Sequence, residues 1–539
     1  MGRPKISRMV NDLIPVFGEP FLRYVLAYDG EALIADGLDT RQRAVVDQLR
    51  ERAFGAAPGE DQFDQFSRLA SLGQWIEDAQ TSLPNVLRVY CGGGLPPCPE
   101  TEEPILEALQ ELARDAWPTL LLPPPKQGVP TFWSSMPLVT LSHPAAISAA
   151  RAFLADDALR RLFPHAPSPT NADRTALLGL SSYWINGLGG MMHHELLPLT
   201  GILVTGARLW GLVENGADTW QSLLDSLPKM LAATRQLALG ETVEVPRLVG
   251  FRGPSTDGDT IVDLPSGTLC APRMVDKEFL LSHVEDVSLV SIGRYPLRLV
   301  GVQPRQEGNE MPDLAASWKS LQDDQSRSER ETDLTRLAVL LASEEGQAWG
   351  LTEIASLVVD PTAAGGAAWG GTHQRQGLIP GGRIDPDVAK RIKDWRATLQ
   401  RKFPASLDIA MRRSLSAAGY RGDPLDGFVD AVIAWENCFG TRQETSFRVT
   451  GGIAALLEPS SRHRVECQKK LRKIYDKRSE VVHGVAHLSA SEAIALRDEA
   501  VQIAIRCLRS LLIDRPDLLD LKSELRSTEL MLGGASSTD

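Results

Sequence analysis

The sequence predicts a mainly α, multidomain protein with one small β-rich block in its middle. Three observations carry that expectation. The chain has 539 residues, of which 43% are hydrophobic and 23% charged, a globular composition spread over a length that one core cannot serve, so about three or four domains are expected. Apolar residues recur at helical spacing through most of the chain, as in PILEALQELARDAW. Short β-branched runs between Gly, Pro and Asp are confined to the region from about Glu241 to Pro304.

Residues 1–125 read as a helical N-terminal domain that ends at the proline run LLPPPKQGVP. Within it, ISRMVNDLIPVFGEPFLRYVLAYDGEALIADGLDTRQRAVVDQLR, residues 6–50, resembles the helical DNA-binding-like domain of some bacterial antitoxins, with acidic residues where a basic recognition helix would stand. Residues 126–240 form a second helical domain, interrupted by the loop-like PHAPSPTNAD and closed by TWQSLLDSLPKMLAATRQLAL. In it, LLPLTGILVTGARLWGLV is the nearest approach to a membrane span, but Arg208 and the breakers Pro198, Gly201 and Gly206 favour a buried helical hairpin, with no membrane contact.

The β-rich block covers 241–304, with VEVPRLVGF, DTIVDL, VSLVSI and LRLVGV as its strands. Residues 305–386 read as a linker and helices holding a glycine-rich loop from Asp360 to Pro386. From Asp387 to about Leu521 the pattern is helical throughout, and 522–539 reads as a flexible tail. No repeat period emerges.

Composition excludes several functions. A formal net charge of −12 argues against coating nucleic acid with the whole surface, so any RNA contact must come from a local basic patch. The six cysteines are scattered without a CxxC pair and read as reduced thiols in a cytoplasm. The N-terminal stretch lacks the apolar core and cleavage site of a signal peptide. In GGMMHHELL, read as helix, His193, His194 and Glu195 are adjacent and point in different directions, so no metal site is expected there, and no cofactor elsewhere.

Chemistry concentrates in KIYDKRSEVVHG, where Arg478 and His483 stand five positions apart on a predicted helix. The bare spacing is weak: Arg160 and His165 repeat it, although Pro164 should break the helix between them. The neighbourhood of Arg478 is different. From Arg462 to Arg478 the basic residues Arg462, Arg464, Lys469, Lys470, Arg472, Lys473, Lys477 and Arg478 face only Glu466 and Asp476. In an acidic protein this is either a solvated helix face or an approach for a phosphate backbone, with Lys469, Lys470, Arg472, Lys473 and Lys477 as the RNA contacts.

Four segments, LDIAMRRSLSAAGY, DPLDGFVDAVIAWENCFG, ETSFRVTGGIAALL and LRKIYDKRSEVVHG, together resemble the Apea-like branch of the HEPN superfamily. The resemblance implies a helical bundle over residues 387–521 whose active members are metal-independent endoribonucleases. It puts Arg478 and His483 on the catalytic Arg and His, Glu436 on the acidic residue of the inner helix, and Asp430 on the Asp one and a half turns earlier. Trp435 replaces a usual aliphatic residue, and Gly451 and Gly452 loosen a segment that is ordinarily better helix.

The residue types suit that chemistry. RNA is cut without metal when its own 2′-hydroxyl attacks, which needs a base for the proton and a cation for the phosphorane charge. Histidine exchanges protons near neutral pH, so His483 can act as base or as leaving-group acid. Its bland alternative is a His bonding a carbonyl at the helix end. Arg478 offers a permanently charged fork to phosphate oxygens. Tyr475 adds a hydroxyl contact or caps the core. Ser479, beside Arg478, completes the supporting set. Glu436 sits in the apolar AVIAWENCF, where a lone carboxylate is costly, so it should pair with a base of the Arg478 helix and orient it. Asp430 reads equally as an inward carboxylate or an exposed one.

The expectation is therefore a restrained HEPN endoribonuclease. The resemblance implies anti-phage abortive infection, with RNA as substrate, a phage-derived trigger and a homodimer or higher even-numbered oligomer as the working form. Five helical positions turn Arg478 and His483 about 140° apart, so a site shared between two chains is expected, using the face that carries Tyr475 and Val482. The rival is a non-catalytic HEPN module that binds RNA or protein.

Overall fold

The computed structural model describes residues 10–30, 37–54, 71–73, 75–123, 143–167, 174–186, 191–273, 276, 287–304, 315–371, 382–440, 444–484 and 488–533. It is mainly α, with two hydrophobic cores on either side of a sheet. Residues from 10 to about 240 build the first core. The helices after 315 build the second. The strand Val243–Arg252 contributes Val243, Val245 and Leu248 to the first, and Val249 and Phe251 to the second.

The sheet is larger than the sequence suggested. Its six strands run Ala367–Gly371, Thr352–Val359, Val243–Arg252, Leu289–Leu297, Gly267–Cys270 and Val262–Leu264, all antiparallel. The first two come from the stretch expected to be a linker and a glycine-rich loop. Residues 372–381 of that loop lie outside the described residues. A second, three-stranded sheet joins Leu299–Pro304, Ser181–Asn186 and Met191–Glu195. Met191–Glu195 is thus a strand, not a helix. His194 is buried and stacks on Trp184 at 4.3 Å.

Leu196–Asn215 is one continuous helix rather than a hairpin with an internal turn. Pro198 falls in its first turn, where a missing N–H costs little. Gly206 lies where backbone passes backbone: a Cβ on Gly366 would sit 2.3 Å from the Gly206 Cα. This is the one helix among the described residues long and apolar enough to cross a membrane, and 89% of its apolar window is buried inside the protein. It packs instead against Trp220–Ala238.

Beyond the sheet, the helix Ala315–Ala342 carries Leu334, Leu337, Ala338 and Leu341 into the second core. It is therefore part of the C-terminal body, not a linker before it. Arg509 anchors it by donating to the carbonyl oxygens of Leu341 at 3.0 Å and Ser343 at 2.5 Å. The bundle continues through Pro386–Lys402, Asp408–Leu415, Pro424–Phe439, Thr445–Leu457, Ser461–Val482 and Ala490–Ile513. Caps set its boundaries: the Asp385, Asp423, Ser460 and Ser489 side chains each accept a backbone N–H of the first turn.

The expected flexible tail holds a further helix, Ser523–Leu532, while 534–539 lie outside the described residues. Its Arg526 is fully buried and donates to the carbonyls of Leu518, Leu519 and Cys438 and to Ser406 Oγ. Gly451 and Gly452 make room for this helix: a Cβ at Gly451 would lie 2.7 Å from Met531 Sδ. Trp435 is buried and its indole donates to the Ala500 carbonyl at 3.0 Å.

Candidate active site on the Ser461–Val482 helix

The helix Ser461–Val482 buries a narrow stripe and exposes the rest. Leu471 and Ile474 are buried, and Cys467, Tyr475 and Val481 pack against the second core. These positions recur every three or four residues, and Arg478 falls on the same stripe. A guanidinium on an otherwise apolar stripe needs a counter-charge, and the neighbouring Pro424–Phe439 helix supplies it. Glu436 Oε2 lies 3.7 Å from Arg478 Nη2, with both side chains about one-quarter exposed. Arg478 Nε is buried and has no hydrogen-bond partner among the described residues. The pair is held as an ion pair and not as a bidentate clamp.

Tyr475 is the closer partner of the carboxylate. Its hydroxyl donates to Glu436 Oε1 at 2.6 Å. Burial, and then the hydrogen bond to Glu436 and its charge, hold the Tyr475 pKa well above the ordinary value. The phenol therefore stays a donor at any physiological pH. Tyr475 is half-buried and turned to the inner helix, while Val482, seven positions on and so within about 20° on the same side of the helix, is 51% exposed.

His483 is the last residue before the chain leaves the helix. Its N–H still bonds the Ser479 carbonyl at 3.0 Å, which carries the helical rotation to it, and Gly484 at φ +69° ends the helix in the left-handed region. The His483 side chain is exposed and bonds no carbonyl among the described residues. No bond joins it to Arg478 among those residues. Ser479 is exposed, and its structural contribution is the carbonyl that caps His483.

Asp430 is buried, and its donors come from elsewhere in the bundle. Oδ1 accepts from Arg413 Nη1 at 2.6 Å; Oδ2 accepts from Ser416 Oγ at 2.7 Å and Arg421 Nε at 2.8 Å. Burial raises its pKa, but the bonds from Arg421, Ser416 and Arg413 outweigh it and hold the carboxyl below its ordinary value. None of these donors belongs to the Arg478 helix. Asp430 ties Asp408–Leu415 and the π-turn Ser416–Tyr420 to the inner helix. Sequence reading missed all three partners, which lie 17, 14 and 9 residues away, separations that follow no periodicity.

The basic run divides once partners are assigned. Lys470 pairs with Glu499 at 2.5 Å and Lys477 with Glu480 at 2.6 Å, while Arg472 stands 4.0 Å from Asp476. Lys469 and Lys473, one turn apart and exposed, have no carboxylate partner among the described residues. They are the cations most available to a phosphate backbone. The decoy pair is different again: Arg160 donates to the carbonyl of Ala166 at 3.0 Å and is engaged in closing a loop, leaving His165 exposed on a turn. No group of three or more His, Cys, Asp or Glu converges on one point among the described residues. No family model matches the chain, and no curated protein or solved structure matches it.

Proposed function

We propose that the C-terminal helical body is a metal-independent endoribonuclease of the HEPN type, held in check by the rest of the chain. The observation that carries this reading is an Arg478 about one-quarter exposed and ion-paired with Glu436, on the helix whose end presents an exposed His483. In the reaction, the ribose 2′-oxygen attacks the adjacent phosphorus while a base removes its proton. Arg478 stabilises the negative charge that builds on the non-bridging oxygens. The bond to the 5′-oxygen breaks, and that oxygen takes a proton from the conjugate acid. His483 serves both proton transfers. The products are a 2′,3′-cyclic phosphate and a 5′-hydroxyl. Glu436 and Tyr475 are positioning residues that set the Arg478 fork.

A two-fold pair of chains supplies two Arg478 and two His483 to one groove, because a single helix turns them about 140° apart. Lys469 and Lys473 guide the RNA toward that groove. In this account the protein acts in a cytoplasm, against phage, and is released by a phage-derived trigger. The rival, a non-catalytic binding module, draws support from the neutralised Lys470 and Lys477. Mixing separates the readings. Arg478→Ala and His483→Ala chains, each inactive alone, should regain about one-quarter to one-half of wild-type cleavage when combined as heterodimers. A wild type that is monomeric and fully active would overturn the shared site.

A further inference from the structure

Burial sorts the second half of the helix Ser461–Val482 into two stripes. Leu471 and Ile474 are buried, and Tyr475, Arg478 and Val481 are half-buried along the same side. Lys469, Arg472, Lys473, Asp476, Ser479 and His483 are exposed, and they recur every three or four positions along the outer side. The His483 N–H still bonds the Ser479 carbonyl, so the helical rotation reaches it. By that rotation His483 stands about 20° from Arg472 and Asp476, about 40° from Lys469 and about 80° from Lys473, but about 140° from Arg478. The histidine therefore shares its face with the outer cations, and the arginine does not.

The charges along this outer stripe are unevenly placed. Lys469 and Lys473 have no carboxylate partner among the described residues, and Arg472 stands 4.0 Å from Asp476. Glu466, one turn before Lys469, is 3.7 Å from Arg462. Three cations thus form one patch, Asp476 follows it, and His483 lies beyond. At the helical rise the patch is about 15–21 Å from His483. A stacked strand advances about 3.4 Å per nucleotide, so that distance corresponds to about four to six nucleotides. Phosphates next to the one at His483 would meet no cation of this stripe, and Asp476 would repel them.

We propose that the outer stripe is the track of a flanking RNA strand, with Lys469, Arg472 and Lys473 holding phosphates about four to six nucleotides to one side of the linkage at His483. The inference rests on the ribonuclease reading and adds a substrate class to it: a strand long enough to reach the patch. An RNA that ends short of the patch gains nothing from these cations.

The test compares random-sequence single-stranded RNA of about three and about sixteen nucleotides, spans that fall short of the patch and reach past it. Cleavage by the full chain is measured per linkage, at RNA concentrations low enough that the rate reports kcat/KM. The longer RNA should be cleaved at least about tenfold faster at low salt, and Lys469→Ala with Lys473→Ala should remove most of that advantage while leaving the short RNA within about twofold. Both side chains are exposed, so the melting temperature should not move. Equal rates at the two lengths, an advantage of the longer RNA that survives in the double variant, or an equal slowing of both RNAs would overturn the track while leaving the ribonuclease reading in place. Absence of cleavage at either length would overturn that reading and the track with it.

Discussion

Replacing Asp430 with Asn separates a scaffold carboxylate from a catalytic one. The substitution keeps the shape, removes the charge, and turns one accepting oxygen into an NH2 group that faces a donor. Asp430 accepts three bonds, two from arginines, at 2.6–2.8 Å. Hydrogen bonds to a charged group contribute roughly 1.5–3 kcal/mol each. Arg413 and Arg421 are 42% and 43% exposed, so water recovers part of what they lose. A net cost of about 2–4 kcal/mol is expected.

The affected unit is local, comprising Asp408–Leu415 and Ser416–Tyr420, which Asp430 fastens to the inner helix. Native-state hydrogen exchange should show these amides exchanging about 30- to 900-fold faster in the variant, with the N-terminal core unchanged. The pH dependence has a definite sign. Because the folded pKa lies below the ordinary value of about 3.9, the contribution is fully present above that value and is lost as pH falls through the lower folded one. The melting-temperature gap between wild type and Asp430→Asn should therefore narrow in acid. Unchanged protection, or loss of RNA cleavage with protection intact, would refute the scaffold assignment.

Two further outcomes follow from the partners. Glu436→Gln keeps an acceptor for Tyr475 but removes the charge opposite Arg478; the cleavage rate at saturating RNA should fall about tenfold or more, with RNA affinity within about twofold. Equal rates would reject a positioning role. Combined Lys469→Ala and Lys473→Ala should weaken RNA binding and lower the slope of log affinity against log salt by about 1.4. Lys470→Ala, whose lysine is already paired with Glu499, should change that slope less, and an equal effect from all three would show that pairing does not decide availability.

What the sequence revealed and what it hid divide along contact range. Helical text from Asp387 onward was legible because apolar spacing is local, and so was the burial of Leu196–Val213. The two strands Thr352–Val359 and Ala367–Gly371 were not, since their partners are the distant Val243–Arg252 and one another across a glycine turn. The hairpin at 181–195 was hidden behind adjacent histidines that read as helix. Arg526 was missed because a buried arginine looks like a surface one until four acceptors gather round it. At the candidate site, Arg478 and Glu436 were legible through the resemblance, since the bare spacing is weak, and Tyr475 from its place one turn before Arg478. The division of the lysines into paired and unpaired depended on Glu499, in the next helix.

A domain edge at Asp387 also fails physically, because cutting there would strip Leu334, Leu337 and Leu341 from the C-terminal core. The decisive assay therefore uses the full chain. Wild type, Arg478→Ala and His483→Ala are each incubated in excess over a single-stranded RNA in EDTA, and the product ends are identified. The account predicts slow cleavage by wild type alone, leaving 2′,3′-cyclic phosphate and 5′-hydroxyl ends, and none at a site carrying a single 2′-deoxy substitution. No cleavage by wild type, cleavage only after a divalent metal is restored, or cleavage undiminished in His483→Ala would contradict it.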